Sequence, residues 1–102
     1  MAQFSVFRSP HRDPHVAFVV QMQANRFDRT RGRVVLALTH RGSMPPPDHA
    51  FTPHLIVLGV PVYVDALDIA TVPVNRLGPA LTVLPEADQG RIITAIDDLI
   101  AR

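Results

Sequence analysis

Hydrophobic and polar positions alternate along "QFSVF" (3–7), the two-residue period of a half-buried strand, and this predicts a short first strand. "SPHRDPH" (9–15) reads as a turn-rich loop, because Pro10 and Pro14 each lack the N–H that a sheet ladder needs. Alternation resumes in "VAFVVQMQ" (16–23). Val16, Phe18, Val20 and Met22 are expected on one face, with Ala17, Val19, Gln21 and Gln23 on the other. The β-branched run "VVLALTH" (34–40) suits a central strand. "ANRFDRTRGR" (24–33) joins the two, with turn chemistry expected at Asp28 and Gly32, so residues 16–40 read as a hairpin with a protruding tip.

Three consecutive prolines, Pro45-Pro46-Pro47, exclude helix and sheet from "RGSMPPPDHA" (41–50), which is expected to be the most mobile surface loop. "FTPHLIVLGVPVYVDAL" (51–67) predicts two strands around a tight turn at Gly59-Val60-Pro61. "DIATVPVNRLG" (68–78) is apolar but expected to be irregular, with Pro73 excluding helix, and "PALTVL" (79–84) predicts a short strand. Beyond it Ile92, Ile93, Ala95, Ile96, Leu99 and Ile100 follow the i, i+3, i+4, i+7 spacing of a helix. Pro85 suits its first position, and Glu86 and Asp88 lie near the positive end of its dipole. Gly90 inside it costs about 1 kcal/mol relative to alanine. The pattern is mainly β: about five antiparallel strands curling toward a barrel, plus one C-terminal α-helix.

Composition narrows the class. The 102 residues read as a single domain, 1–102, and 47% apolar with 19% charged residues is a folded, globular balance. The apolar stretches are too short or too interrupted to span a bilayer, and the opening residues lack the order of a secretory signal. The absence of cysteine excludes disulfides, thiol nucleophiles and thiolate metal sites. A cytoplasmic protein with no membrane attachment is the expectation. The net charge of +1 conceals an asymmetry. Residues 1–41 carry seven arginines against two aspartates, +5, while residues 42–102 carry three arginines against seven acids, −4. Two such halves attract one another within a fold or between subunits.

Five histidines invite a metal or catalytic reading. His11 and His15 are four apart in a proline-containing loop, and His40, His49 and His54 flank the triple proline. No pair has helical metal-ligand spacing with a carboxylate partner, so surface or loop histidines are favoured; a general-base histidine stays open. Asp97 and Asp98, adjacent on the helix, point about 100° apart and form no facing carboxylate pair. Asp65 and Asp68 read as turn formers. No phosphate-cradling glycine motif or nucleophile elbow occurs. No catalytic residue, metal site or cofactor is therefore expected. The tip "RFDRTRGR" (26–33) holds four arginines, one aspartate and Phe27; gripping a phosphate backbone or an acidic peptide and simple solvation both remain open. The apolar arc of Ile93, Ile96, Leu99 and Ile100 is wide enough to pack on the sheet and still supply a homodimer interface.

In chain order, "QFSVF", "VQMQANRFDRTRGRVVLAL" (20–38), "DIATVPVNRLG" (68–78) and "ITAIDDLI" (93–100) resemble CcdB, a family of type II toxin–antitoxin toxins. The resemblance runs nearly end to end and is weakest over residues 41–62. It implies an SH3-like antiparallel β-barrel with a C-terminal α-helix, a homodimer, and a poison that acts by binding without catalysis. Family members lodge against the A subunit of DNA gyrase and trap the cleaved-DNA complex. A CcdA-like antitoxin, with a disordered acidic segment, removes them from gyrase, and the arginine-rich first half suits such a peptide. Direct sequence-specific nucleic-acid binding is not implied. By the resemblance Phe27, Asp97 and Ile100 face gyrase. Three gyrase-facing positions depart from the family: Arg26 stands where it has an aliphatic residue, and Ala101 and Arg102 where it has an aromatic residue and a glycine. Two alternatives accompany the gyrase expectation. One is a CcdB-fold protein that has lost gyrase poisoning and binds only an antitoxin or another target. The other is an endoribonuclease of the MazF and Kid type, which uses the same barrel.

Overall fold

Every predicted strand finds a partner, and the order in which they pair sets the shape of the molecule. A computed structural model describes residues 3–10, 12–24 and 31–100. Among these, β1 (Ser5–Arg8), β2 (Val16–Gln21), β3 (Gly32–His40), β4 (His54–Val57), β5 (Val60–Pro73) and β6 (Thr82–Val83) precede α1 (Glu86–Ile100), with one 3₁₀ turn at Val74–Arg76. The strands form one antiparallel sheet in the order β4-β5-β3-β2-β1-β6. It curls into a half-barrel, the mainly β architecture that the pattern predicts, with six strands where about five are expected. β3 lies centrally between β5 and β2, as its β-branched run requires.

The sheet is apolar on both faces. Val6, Val20, Leu36, Leu38, Leu55, Val62 and Val64 line one face and meet Ile92 of α1. Phe7, Val19, Val35 and Val72 line the other, closed by Leu77 just after the 3₁₀ turn. Along β2 the expected alternation holds for Phe18, Val20 and Met22, which side with the helix-facing core, and for Val19 opposite them. It fails at the first two residues. A bulge between Val16 and Phe18 inserts an extra residue against Thr39 and Leu38 of β3, so Ala17 joins the helix-facing core and Val16 the other.

The second hairpin turns one residue earlier than expected. Val57 pairs with Val60, leaving Leu58 and Gly59 as a two-residue loop with φ of 52° and 79°. Positive φ at both central residues is the type I′ geometry, whose twist matches the strands; glycine adopts it freely and leucine under strain. Residues 68–73, expected to be irregular, continue β5 as far as Pro73. Pairing with β3 jumps from Leu36–Ile69 to Leu38–Val64, so the intervening residues of β5 form a bulge, with Ala66 buried within it. Asp65 and Asp68, expected as turn formers, both lie within β5 instead, and at this irregularity the Asp65 Oδ1 accepts the Leu67 N–H at 3.1 Å. Beyond the bulge no β4 residue covers β5, and an uncovered strand tolerates Pro73 at its end. Gly32 is not a turn residue: it opens β3 opposite Pro73, and a Cβ there would sit 2.8 Å from Thr71 Cγ2. Close approach explains that glycine.

No such reason applies to Gly90. It lies inside α1, and a Cβ at this position meets nothing within 4 Å. Gly90→Ala is therefore expected to stabilise the protein by about 0.5–1 kcal/mol. A rise in the urea midpoint at unchanged slope is the measurement that checks it.

Candidate functional site: the C-terminal helix and the loop it holds

The apolar stripe of α1 resolves into two rows one hundred degrees apart. Ile92, Ile96 and Leu99, at i, i+4 and i+7, form the inner row: Ile92 is fully buried, Ile96 packs on the same core, and Leu99 is half-buried. Ala95 beside them is buried as well. Ile93, Asp97 and Ile100 have the same spacing on the outer row, where Ile93 is 48% and Ile100 is 70% exposed and Asp97 is exposed. Two of the residues that the resemblance assigns to gyrase, Asp97 and Ile100, thus share one solvent-facing row with Ile93. The four residues expected at a dimer interface are divided between the rows, Ile96 and Leu99 inside and Ile93 and Ile100 outside. Arg26, Phe27, Ala101 and Arg102 lie outside the described residues, as does His11.

Arg91, on the flank of the helix, joins it to the triple-proline loop. Its Nη1 donates to the backbone carbonyl of His54 on edge strand β4, and its Nη2 to Asp48 Oδ1 at 2.7 Å. The same carboxylate oxygen accepts the His54 N–H at 2.9 Å. His54 Nε2 lies 2.7 Å from the Pro46 carbonyl, an acceptor, so this nitrogen carries the proton. Thr52 Oγ1 donates to the Pro47 carbonyl, and Arg41 at the start of the loop donates to the carbonyls of Leu55 and Val62. A segment expected to be mobile on composition is therefore tied at both ends. Between it and α1 runs an open groove of about 590 Å³, lined by Asp48, His49, Pro53, Ala87, Gly90 and Thr94 among others.

The His54 N–H bond, ahead of the nearby Arg91 and His54 charges, holds the Asp48 carboxyl below its ordinary 3.8, with partial desolvation opposing. A depressed folded-state pKa means that the ionised form favours the fold. The contribution is complete above the unfolded value and disappears as pH falls through the lower, folded one. Asp48→Asn is accordingly expected to destabilise the protein near neutral pH. Its urea midpoint should converge with that of the parent in acid well below 3.8. A gap that persists in acid would assign the effect to packing.

The histidines reach different surroundings. His15 and His40 are exposed and lie opposite one another where β2 and β3 end, the His40 N–H donating to the His15 carbonyl at 2.7 Å. With Tyr63 they line a second cleft of about 340 Å³ beside the proline loop. Among the described residues no group of three or more histidine or acidic side chains is placed to hold a metal ion. Sequence reasoning missed the Arg91–Asp48–His54 junction. Its members are scattered along the chain, and nothing local to any of them signals the others.

Comparison with known proteins bears on this helix-and-sheet arrangement. The family model described as CcdB protein matches residues 3–101. No curated protein matches the chain. Among solved structures, an endoribonuclease in complex with its cognate antitoxin, from a mycobacterial species, is similar with a TM-score of 0.78 and 19% identity, over 96% of this chain and 92% of that one. A mycobacterial endoribonuclease gives 0.74 and 20%, covering 96% and 88%. The Mycobacterium tuberculosis toxin MazF-mt6 gives 0.69 and 16%, covering 92% and 91%. At these identities the likeness is one of fold.

Proposed function

The chain belongs to the CcdB family, and from that premise we propose that it is the toxin of a type II toxin–antitoxin module that binds the A subunit of DNA gyrase and holds the enzyme on cleaved DNA. The observation that carries this reading is the outer row of α1, where Ile100, 70% exposed, offers apolar surface one turn from the exposed Asp97. Ile100 gains by burial against a partner, and Asp97 accepts hydrogen bonds that fix orientation. Poisoning of this kind needs no bond making by the toxin. A ligand that binds the cleaved state of gyrase more tightly than the intact state raises its population by the ratio of the two affinities.

The protein acts in this reading as a homodimer in the cytoplasm, where gyrase and its DNA are found. A two-fold dimer sets two copies of the outer row side by side, matching a target that is itself a two-fold assembly. A CcdA-like antitoxin reverses the inhibition by competing for the toxin. The solved complex of a structurally similar endoribonuclease with its cognate antitoxin supports an antitoxin partner. The test is purified gyrase, ATP and supercoiled plasmid, with and without the protein. Linear DNA should accumulate with it. Failure with gyrase from the protein's own source would leave a CcdB-fold protein that has lost the poison.

One observation favours a second reading, RNA cleavage. The backbones of His15 and His40 are hydrogen-bonded to one another, and both residues line a cleft that also carries Tyr63. One imidazole could take the proton of a ribose 2′-hydroxyl while the other protonates the departing 5′-oxygen. Incubation with end-labelled RNA decides it: cleavage that disappears in His40→Ala supports this reading, and intact RNA ends it.

A further inference from the structure

Arg8 closes β1, and Arg76 closes the 3₁₀ turn that follows β5, sixty-eight positions along the chain. The fold brings both to one pocket of about 260 Å³, whose walls include Pro10, Pro79 and Leu81 and no acidic side chain. Both arginines are exposed, and among the described residues no hydrogen bond or ion pair engages either guanidinium. Two unpaired guanidinium groups over an apolar floor make an anion site that also rewards burial of aliphatic surface.

A second feature adjoins it. Among the described residues β6 pairs with β1 alone, at the end of the sheet, so its outer edge carries no further strand there. Leu81, which lines the pocket, and Val83 are 39% and 48% exposed along that edge. An extended chain added to β6 would therefore run past the two arginines while covering these side chains. We infer that this pocket and the adjoining β6 edge dock an extended acidic peptide carrying aliphatic residues, a segment of the antitoxin; the assignment to an antitoxin rests on the toxin reading above. Charge complementarity selects the occupant. A carboxylate accepts two parallel hydrogen bonds from one guanidinium, and aliphatic neighbours bury against Pro10, Pro79 and Leu81. Single-stranded nucleic acid fits less well, because no aromatic side chain lines the pocket for bases to stack on.

The probe is a fluorescein-labelled octapeptide alternating glutamate with leucine, titrated with the full chain and followed by anisotropy. The Arg8→Gln, Arg76→Gln double variant removes both charges without removing any side-chain bond among the described residues, and its thermal melt should match the parent's. Its affinity for the peptide should fall by roughly tenfold or more, the loss of two charge-assisted hydrogen bonds. Arg31→Gln, an exposed arginine outside the pocket, should leave binding within about twofold. Equal losses in both variants would reduce the effect to net charge and overturn the site. A ten-nucleotide oligothymidylate that binds more tightly than the peptide, and loses that binding in the double variant, would assign the pocket to nucleic acid instead. A parent protein that linearises plasmid with gyrase yet ignores the peptide overturns the docking site and leaves the toxin reading standing. Peptide binding without gyrase trapping does the reverse.

Discussion

Ile92→Ala is expected to cost about 3–4 kcal/mol, a large share of the total stability of a chain this size. Ile92 is fully buried and is the buried residue that α1 adds to the helix-facing core, a cluster it shares with Leu36, Leu38, Val62 and Val64. Removing three carbons there leaves a cavity that strands held in register on the central sheet cannot collapse to fill. Urea unfolding followed by circular dichroism measures the loss. The adjacent residue should behave differently. Ile93→Asp lies on the outer row and is expected to shift the protein from dimer to monomer by light scattering, with the urea midpoint lowered only by the lost mass-action contribution of the partner, far less than in Ile92→Ala. Ile96→Asp, half-buried on the same core as Ile92, should unfold the chain outright. A folded, dimeric Ile93→Asp variant would place the interface away from this helix.

The second large effect concerns the two positions after the helix. Replacing Ala101 by tryptophan and Arg102 by glycine, toward the ending of the family, should lower the protein concentration that linearises half the plasmid by about thirtyfold. The basis is that a buried aromatic anchor contributes about 2 kcal/mol at an interface. No gain would mean that this chain meets its target through other residues, with Asp97 and Ile100 the first to test by alanine substitution. A gain would mean that the parent is an attenuated member whose outer row already engages gyrase.

Much of the architecture is legible along the chain because backbone geometry acts over a few residues. Alternation in 3–7 and 16–23, the β-branched run at 34–40 and the helical spacing from Ile92 to Ile100 each state a period, and each becomes the corresponding element. The prolines at 45–47 exclude ladder and helix from their loop for the same local reason. Where reading by period fails, a distant partner has intervened. Val16 and Ala17 exchange faces because β2 bulges against Thr39 and Leu38. The apolar residues 69–72 look irregular before Pro73, yet β3 supplies a ladder for them, and the strand persists. The stripe on α1 looks like one broad surface, and only its seating on the sheet separates Ile92 and Ile96 from Ile93 and Ile100.

The candidate sites divide the same way. The residues on α1 were nameable from the chain, since the resemblance to CcdB assigns Asp97 and Ile100 by position. The Arg91–Asp48–His54 junction and the Arg8–Arg76 pocket were not. Their members are separated by tens of residues, and a guanidinium carries no local signal of what it will meet. The sequence by itself determined the elements, the family and the chemistry available on the last helix, all consequences of short-range spacing and of residue identity. Only the tertiary structure decided which charges are paired and which stand free, which side of the helix faces solvent, and which sheet edge lies open, because those depend on how strands distant in the chain are ordered in one sheet.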